Sequence, residues 1–273
     1  MELMRFPPLF SDSDELDIIQ IGLINFLIVY ALLLVILLIM KVCKVKQTKL
    51  LILASVRMTV QLILAGLILT YILDNPHWGF TVGYLLLMTG FAVFLVLWRN
   101  RTLNIRFKLI AAASLSVTGI VMVVFFILAV VMANFFDARY TIPIAGMIMG
   151  NALTGVALGL RAFREKIKTQ RIQIDTLLNC GVHPKKILTP FVNSSFETAL
   201  IPTLNSMLGM GIISLPGMMT GQILSGTAPL TAILYQIAIL ITIAAVVCLA
   251  TFCSLFFGFR TLYNKRCQLD LTI

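Results

Sequence analysis

The chain has 273 residues, of which 60% are hydrophobic and only 12% charged, and its mean hydropathy is +1.02. A soluble domain of average composition carries about 25% charged residues, so a wholly soluble fold is excluded and the question becomes how many membrane spans the length holds. The formal charge of +10 would suit a nucleic-acid binder by its sum alone, and the placement of the basic residues argues against that.

Stretches free of Asp, Glu, Lys, Arg and His run from Ile18 to Met40, Met58 to Leu73, Trp78 to Trp98, Leu109 to Phe136, Tyr140 to Leu160 and Thr198 to Phe259. A helix needs about 20 residues at ~1.5 Å each to cross a ~30 Å hydrocarbon layer. The last stretch therefore has room for two spans and a turn. The second becomes a full span when extended back to Leu50, which places Arg57 inside it. The pattern predicts an all-α integral membrane protein with about seven transmembrane helices. Residues 1–17 form an N-terminal segment, 18–160 hold helices one to five, 161–190 an insert, 191–259 helices six and seven with a turn between them, and 260–273 a tail. The first span is too long for a signal-peptide core and lacks a small-x-small cleavage site, so it is predicted to remain.

All of the 21 Lys and Arg except Arg5, Arg57 and Arg139 fall in four segments, Lys41 to Lys49, Arg99 to Lys108, Arg161 to Lys186 and Arg260 to Arg266. These alternate with Asp74 to His77, Asn134 to Arg139 and the turn near Pro216 to Pro229. The positive-inside rule then places the four basic segments and the C-terminus in the cytoplasm, and the acidic start, with Glu2, Asp12, Asp14, Glu15 and Asp17, outside. Basic residues that alternate in this way mark orientation rather than a nucleic-acid footprint. Cys43, Cys180 and Cys267 would face the reducing cytoplasm while Cys248 and Cys253 sit in the last span, so no structural disulfide and no cysteine metal site is predicted.

In the fifth span, Gly146, Gly150, Gly155 and Gly159 make two small-x-x-x-small pairs that allow close backbone approach. Asn151, on the same helix, needs a partner in the bundle or a wet cavity, because hydrocarbon offers none. The insert opens RAFREKIKTQRIQIDTLLNCG, a helical run that stops at Gly181. Pro184 pre-sets a second start and Pro190 interrupts again, which predicts two short helices with a bend. Lys185 and Lys186 are predicted exposed. Two readings fit this basic insert: a surface helix on anionic lipid, or a docking surface for a cytoplasmic partner. The turn GIISLPGMMTGQILSGTAPLT reads either as a re-entrant element with Gln222 at membrane depth or as a plain outer loop.

Grouped catalytic residues are missing: His77 and His183 are predicted on opposite sides, no carboxylate pair faces the membrane interior, and no Walker A phosphate cradle occurs. The chain is read as a non-enzyme. What remain are isolated polar groups in or beside spans, Arg57 and Gln61 one turn apart, Asn151, and Glu197. Arg57 stands only ~12 Å along a helix from Lys49, so it serves either as a snorkelling anchor or as part of a transport path. Glu197 reads as an interfacial residue pairing with Arg57 or a lysine of the insert. Met147, Met149, Met207, Met210, Met218 and Met219 are either gap fillers or soft ligands.

The strings VRMTVQLILAGLILTYI (56–72), IPIAGMIMGNAL (142–153), ALIPTLNSMLGMGIISLPGMMTGQILSG (199–226) and LYQIAI (234–239) closely resemble the FetB-like family of ABC-transporter permeases, which includes bacterial iron exporters and plant aluminium-tolerance membrane subunits. The resemblance implies a multi-pass cell-membrane subunit, dimeric, that binds no cofactor itself and works with a separate ATPase that holds ATP and magnesium. Asp175 and Gly181 have the spacing of the Glu and Gly in the coupling motif of many ABC permeases, with Thr176 and Leu177 where that motif has alanines. On this likeness Asp175, Gly181, Pro184, Lys185 and Lys186 would contact the ATPase, and the polar residues Arg57, Gln61, Asn151, Glu197 and Gln222 are the candidates for the substrate path. Family members are described as exporting iron and plant relatives are linked to a nucleotide sugar, so a metal, a chelate and an organic solute all stay open. Two further classes, a self-contained channel or secondary transporter and a membrane scaffold or sensor, remain as alternatives.

Overall fold

The computed structural model describes residues 23–45, 47–100 and 103–263. The acidic segment 1–17, the start of the first span and the tail beyond Tyr263, with Cys267, lie outside the described residues. The chain is all-helical, in the order α1 Leu23–Val42, α2 Thr48–Asp74, α3 Trp78–Arg99, α4 Ile105–Phe125, α5 Ala138–Thr169, α6 Arg171–Asn179, α7 Pro184–Gly209, α8 Gly217–Leu224 and α9 Pro229–Gly258. Five helical stretches among the described residues are long and apolar enough to cross a membrane: Thr48–Asp74, Trp78–Arg99, Ile105–Val131, Ala138–Thr169 and Pro229–Leu262. The stretch Ile28–Val42 of α1 is apolar and shorter. Helix α7 has the length, at 26 residues, but mixes Lys185, Lys186, Glu197 and three prolines with its apolar residues and is not among the five.

The helices start and stop where local chemistry directs. His77 caps α3 by accepting from the Gly79 N–H, Asn104 caps α4 by accepting from Arg106, and Asp137 caps α5 by accepting from Arg139. Beyond Phe125, α4 widens into a π-helical stretch, Phe126–Val131, that ends on Met132 in the left-handed region.

Two compact units divide the described residues. The first holds α1, α2 up to Tyr71, and Thr220–Ala232. Within it Tyr30 Oη and Thr59 Oγ1 lie 2.5 Å apart and join α1 to α2. Most side chains of both helices are exposed and apolar, as suits contact with lipid or with further protein. The second unit holds Ile72–Met219 and the chain from Ile233 onward. Its core is aromatic and branched: Phe107, Leu115, Ile148, Val156, Phe163, Leu188, Val192, Val246 and Phe259 are buried together. Helix α5 runs through this core against α3, α4 and α7.

The insert differs from its sequence reading. Helix α5 is 32 residues long and continues to Thr169, and α7 runs through both Pro190 and Pro202. Only α6, with nine residues, is a separate short helix. A proline removes one N–H and strands the carbonyl four residues back. At Pro190 that carbonyl belongs to Lys186, which is exposed and can take water. One residue earlier the Thr189 hydroxyl donates to the Lys185 carbonyl at 2.7 Å, and beyond the second proline the Ser206 hydroxyl donates to the Pro202 carbonyl at 2.9 Å.

Candidate functional site

Close packing at two glycines sets the register of α5 against its neighbours. A Cβ on Gly159 would stand 3.3 Å from the Ala199 Cβ of α7 and 2.9 Å from the Thr251 Cγ2 of α9, and one on Gly155 would stand 2.6 Å from Val247 Cγ1. These two glycines pack as the small-x-x-x-small pattern predicts. Gly150 has open space instead, and Gly146 faces only the Met88 methyl. Further along, the Lys166 ammonium donates to the Ser194 hydroxyl. The two cross-links run antiparallel. Positions near Thr154 on α5 therefore stand level with Asn205 on α7, and Glu197 stands level with Ala162, ~16 Å along the axis from Asn151.

Each of the two helices leaves a polar stripe uncovered. On α5, Gly150, Asn151, Thr154, Arg161 and Glu165 are exposed, and their helical spacing puts them on one face. Asn151 Nδ2 donates to the Met147 carbonyl at 2.8 Å and the Thr154 hydroxyl to the Gly150 carbonyl at 2.9 Å, so both hold their donors against their own helix. On α7, Asn193 and Glu197 are exposed one turn apart, and Asn205 and Ser206 are exposed further along, with Leu204 and Leu208 exposed beside them. Amides and hydroxyls at span depth are costly against lipid tails, so such a face belongs against protein or water. The sequence reading named Asn151 and Glu197 and missed Thr154, Asn205 and Ser206. Uncharged polar residues vanish inside a stretch defined by the absence of charge, and the four-residue spacing of Gly150 and Thr154 was the available signal.

The other predicted path residues lie in the first unit. Arg57 and Gln61 share one exposed face of α2, one turn apart. Gln222 sits on α8, and its Oε1 is buried with no hydrogen-bond partner among the described residues.

The predicted coupling residues gather around α6. The helix ends with Gly181 at φ +79, its N–H bonding the Leu178 carbonyl at 2.9 Å while the Val182 N–H reaches back to Leu177 at 3.1 Å. This is a left-handed helix stop of the kind the sequence predicts at Gly181. His183 caps α7 by accepting from the Lys185 N–H at 3.2 Å, and Pro184 takes the first turn, where its missing N–H costs nothing. Ile174 is fully buried in the core cluster while Ile172, two residues away, is 84% exposed. Asp175 is exposed beside Arg171, 3.9 Å away, and Lys185 and Lys186 are exposed at the start of α7. The result is a small helix with one side locked into the bundle, and an open side that mixes charge with one large apolar residue.

No group of three or more His, Cys, Asp or Glu side chains suited to a metal ion occurs among the described residues. The cysteines Cys43, Cys180, Cys248 and Cys253 are free thiols.

From residue 23 to 263 the chain matches the family described as Uncharacterised protein family (UPF0014). It is 34% identical over 223 residues to the "Probable iron export permease protein FetB" of Escherichia coli (strain K12), covering 79% of this chain and 82% of that one. It is 32% identical over 194 residues to the "UPF0014 membrane protein YjkA" of Bacillus subtilis (strain 168), covering 71% and 76%. To "Protein ALUMINUM SENSITIVE 3" of Arabidopsis thaliana it is 32% identical over 215 residues, covering 78% and 77%. No solved structure matches the chain. With apolar helices of spanning length and relatives named as membrane proteins and a permease, this multi-pass membrane protein belongs to the UPF0014 family.

Proposed function

We propose that the chain is the membrane subunit of an ATP-driven exporter, working as a homodimer with a separate cytoplasmic ABC ATPase that binds ATP and magnesium. The observation that carries this reading is α6. It is clamped through Ile174 between the ends of two long helices, α5 and α7, and its outer side offers Ile172, Asp175 and the nearby Lys185 and Lys186. A push on α6 is passed to both helices that carry the polar stripes, because Lys166 and Ser194 join them just above it. A second copy would shield those stripes from lipid and enclose a wet path between them. The relative named as a probable iron export permease supports a metal ion as cargo. A second reading, a chelated metal or a hydrogen-bonding organic solute, is favoured by the donor chemistry. Asn151, Thr154, Asn205 and Ser206 are amides and hydroxyls, whereas Fe(II) prefers carboxylate and imidazole.

Reconstitution into liposomes with and without the ATPase tests the proposal. Metal efflux that requires both chains and ATP is the expected result. Efflux by this chain alone without ATP would replace it with a channel or secondary transporter.

A further inference from the structure

A half-open cavity of about 480 Å³ in the second unit is lined by Met207 and Met210 at the end of α7, Met219 on α8 and Gln236 on α9, with aliphatic side chains around them. Two other methionines of this unit show a contrast. Met149 is 5% exposed and fills the space over Gly119, where a Cβ would strike its sulfur, and the Met88 methyl packs on Gly146. Those are gap fillers. Met207, Met210 and Met219 surround open space instead.

Gln236 makes the cavity more than a packing defect. It is 8% exposed, its Nε2 donates to the Met210 sulfur at 3.8 Å, and its Oε1 is buried with no hydrogen-bond partner among the described residues. A buried amide oxygen without a donor is unfavourable in an apolar span, and a bound cation would satisfy it. The turn after α7 holds Met210 in place. Gly211, at φ +87, donates to the Ser214 carbonyl at 3.0 Å, and the Ser214 N–H returns to Gly209.

We propose that Met207, Met210, Met219 and the Gln236 amide oxygen form a site for a soft monovalent cation, Cu(I) or Ag(I). Thioethers are soft donors that select such ions. All four donors are neutral, so the ion keeps its full charge in a low-dielectric setting. The cost of that rises with the square of the charge, which disfavours Fe(II) and Zn(II) far more than a monovalent ion. The cavity is wider than one ion. Methionine has three rotatable bonds and no branch, so the sulfurs can close on a small guest. The site is a property of this chain alone and does not depend on the ATPase reading.

Ag(I) in chloride-free buffer is the probe, titrated against the purified full-length chain with Cys43, Cys180, Cys248, Cys253 and Cys267 replaced by serine, because thiols would otherwise compete. The expected result is one Ag(I) per chain, with X-ray absorption showing sulfur neighbours, a loss of at least tenfold in affinity in Met207→Leu/Met210→Leu, and no competition from Zn(II). Leucine keeps the volume, and an unchanged thermal unfolding midpoint shows that the fold survives. If the cysteine-free chain is unstable, the chain with its cysteines intact should bind one Ag(I) more than its own double-leucine variant. Equal Ag(I) binding with and without the two methionines, in either background, would overturn the site, as would displacement by Zn(II). Ag(I) binding is read on the purified chain with neither ATPase nor ATP present, so this inference and the exporter reading fail separately.

Discussion

Lys166 of α5 donates to Ser194 of α7, three residues before Glu197, and with the Gly159–Ala199 contact this bond fixes how the two helices slide past each other. Gly159 sits where any side chain would enter Thr251 and Ala199. Gly159→Val should therefore force the α5, α7 and α9 backbones apart at a cost of about 1–3 kcal/mol. It should lower the thermal midpoint of the detergent-solubilised protein, while Gly150→Val, whose Cβ meets nothing within 4 Å, should leave it unchanged on the same instrument.

The stop at the end of α6 rests on backbone conformation. Gly181 holds φ +79 with open space around it, so sterics with neighbours do not enter. Gly181→Ala should cost about 1–2 kcal/mol from the left-handed conformation alone, and Gly181→Asn should cost less, since asparagine tolerates that region. Differential scanning fluorimetry of the three proteins gives the order; equal midpoints for Gly181, Ala and Asn would show that the turn relaxes.

Charge on the open side of the insert should matter to the partner more than to the fold. Lys185 and Lys186 are exposed, and Ile172 is 84% exposed on α6. Lys185→Glu/Lys186→Glu and Ile172→Asp should each cut co-purification of the ATPase at least fivefold and leave membrane insertion and thermal midpoint as they were. Retained co-purification with normal ATP-driven transport would assign the insert to lipid contact instead.

Apolar patterning made the all-helical membrane class legible, because span length and the spacing of basic segments are one-dimensional facts. Gly155, Gly159 and Gly181 were likewise readable, each through a local rule of packing or turn geometry. The fate of Pro190 was not. Whether a proline ends a helix depends on what takes up the carbonyl it strands, and here that carbonyl belongs to Lys186, at an exposed position open to water. The polar stripes were half legible. Asn151 stood out by type, but the placing of Asn205 level with Thr154 follows from the Gly159–Ala199 and Lys166–Ser194 pairs, which lie 40 and 28 positions apart in the chain and carry no signature in either segment alone.

That level placing gives the last prediction. If the stripes line the path, transport should depend on hydrogen-bonding groups at one depth. Asn151→Leu and Asn205→Leu should each reduce ATP-driven efflux about tenfold, and Thr154→Val somewhat less, since it keeps shape and loses one hydroxyl. None should destabilise the monomer much, because all three positions are exposed and, among the described residues, Asn151 and Thr154 bond only to their own helix. Glu197→Gln, ~16 Å away along the axis, separates two roles. A path residue that meets a cation would lose efflux when its charge is removed, whereas an anchor near the inner interface would not. Arg57→Ala, on α2 of the other unit, makes the same distinction for the first unit: normal efflux returns Arg57 to snorkelling. Liposome efflux read beside co-purification of the ATPase keeps a broken path apart from a broken complex. Full transport by Asn151→Leu and Asn205→Leu would remove the stripes from the path and leave their polarity to contacts with a second copy.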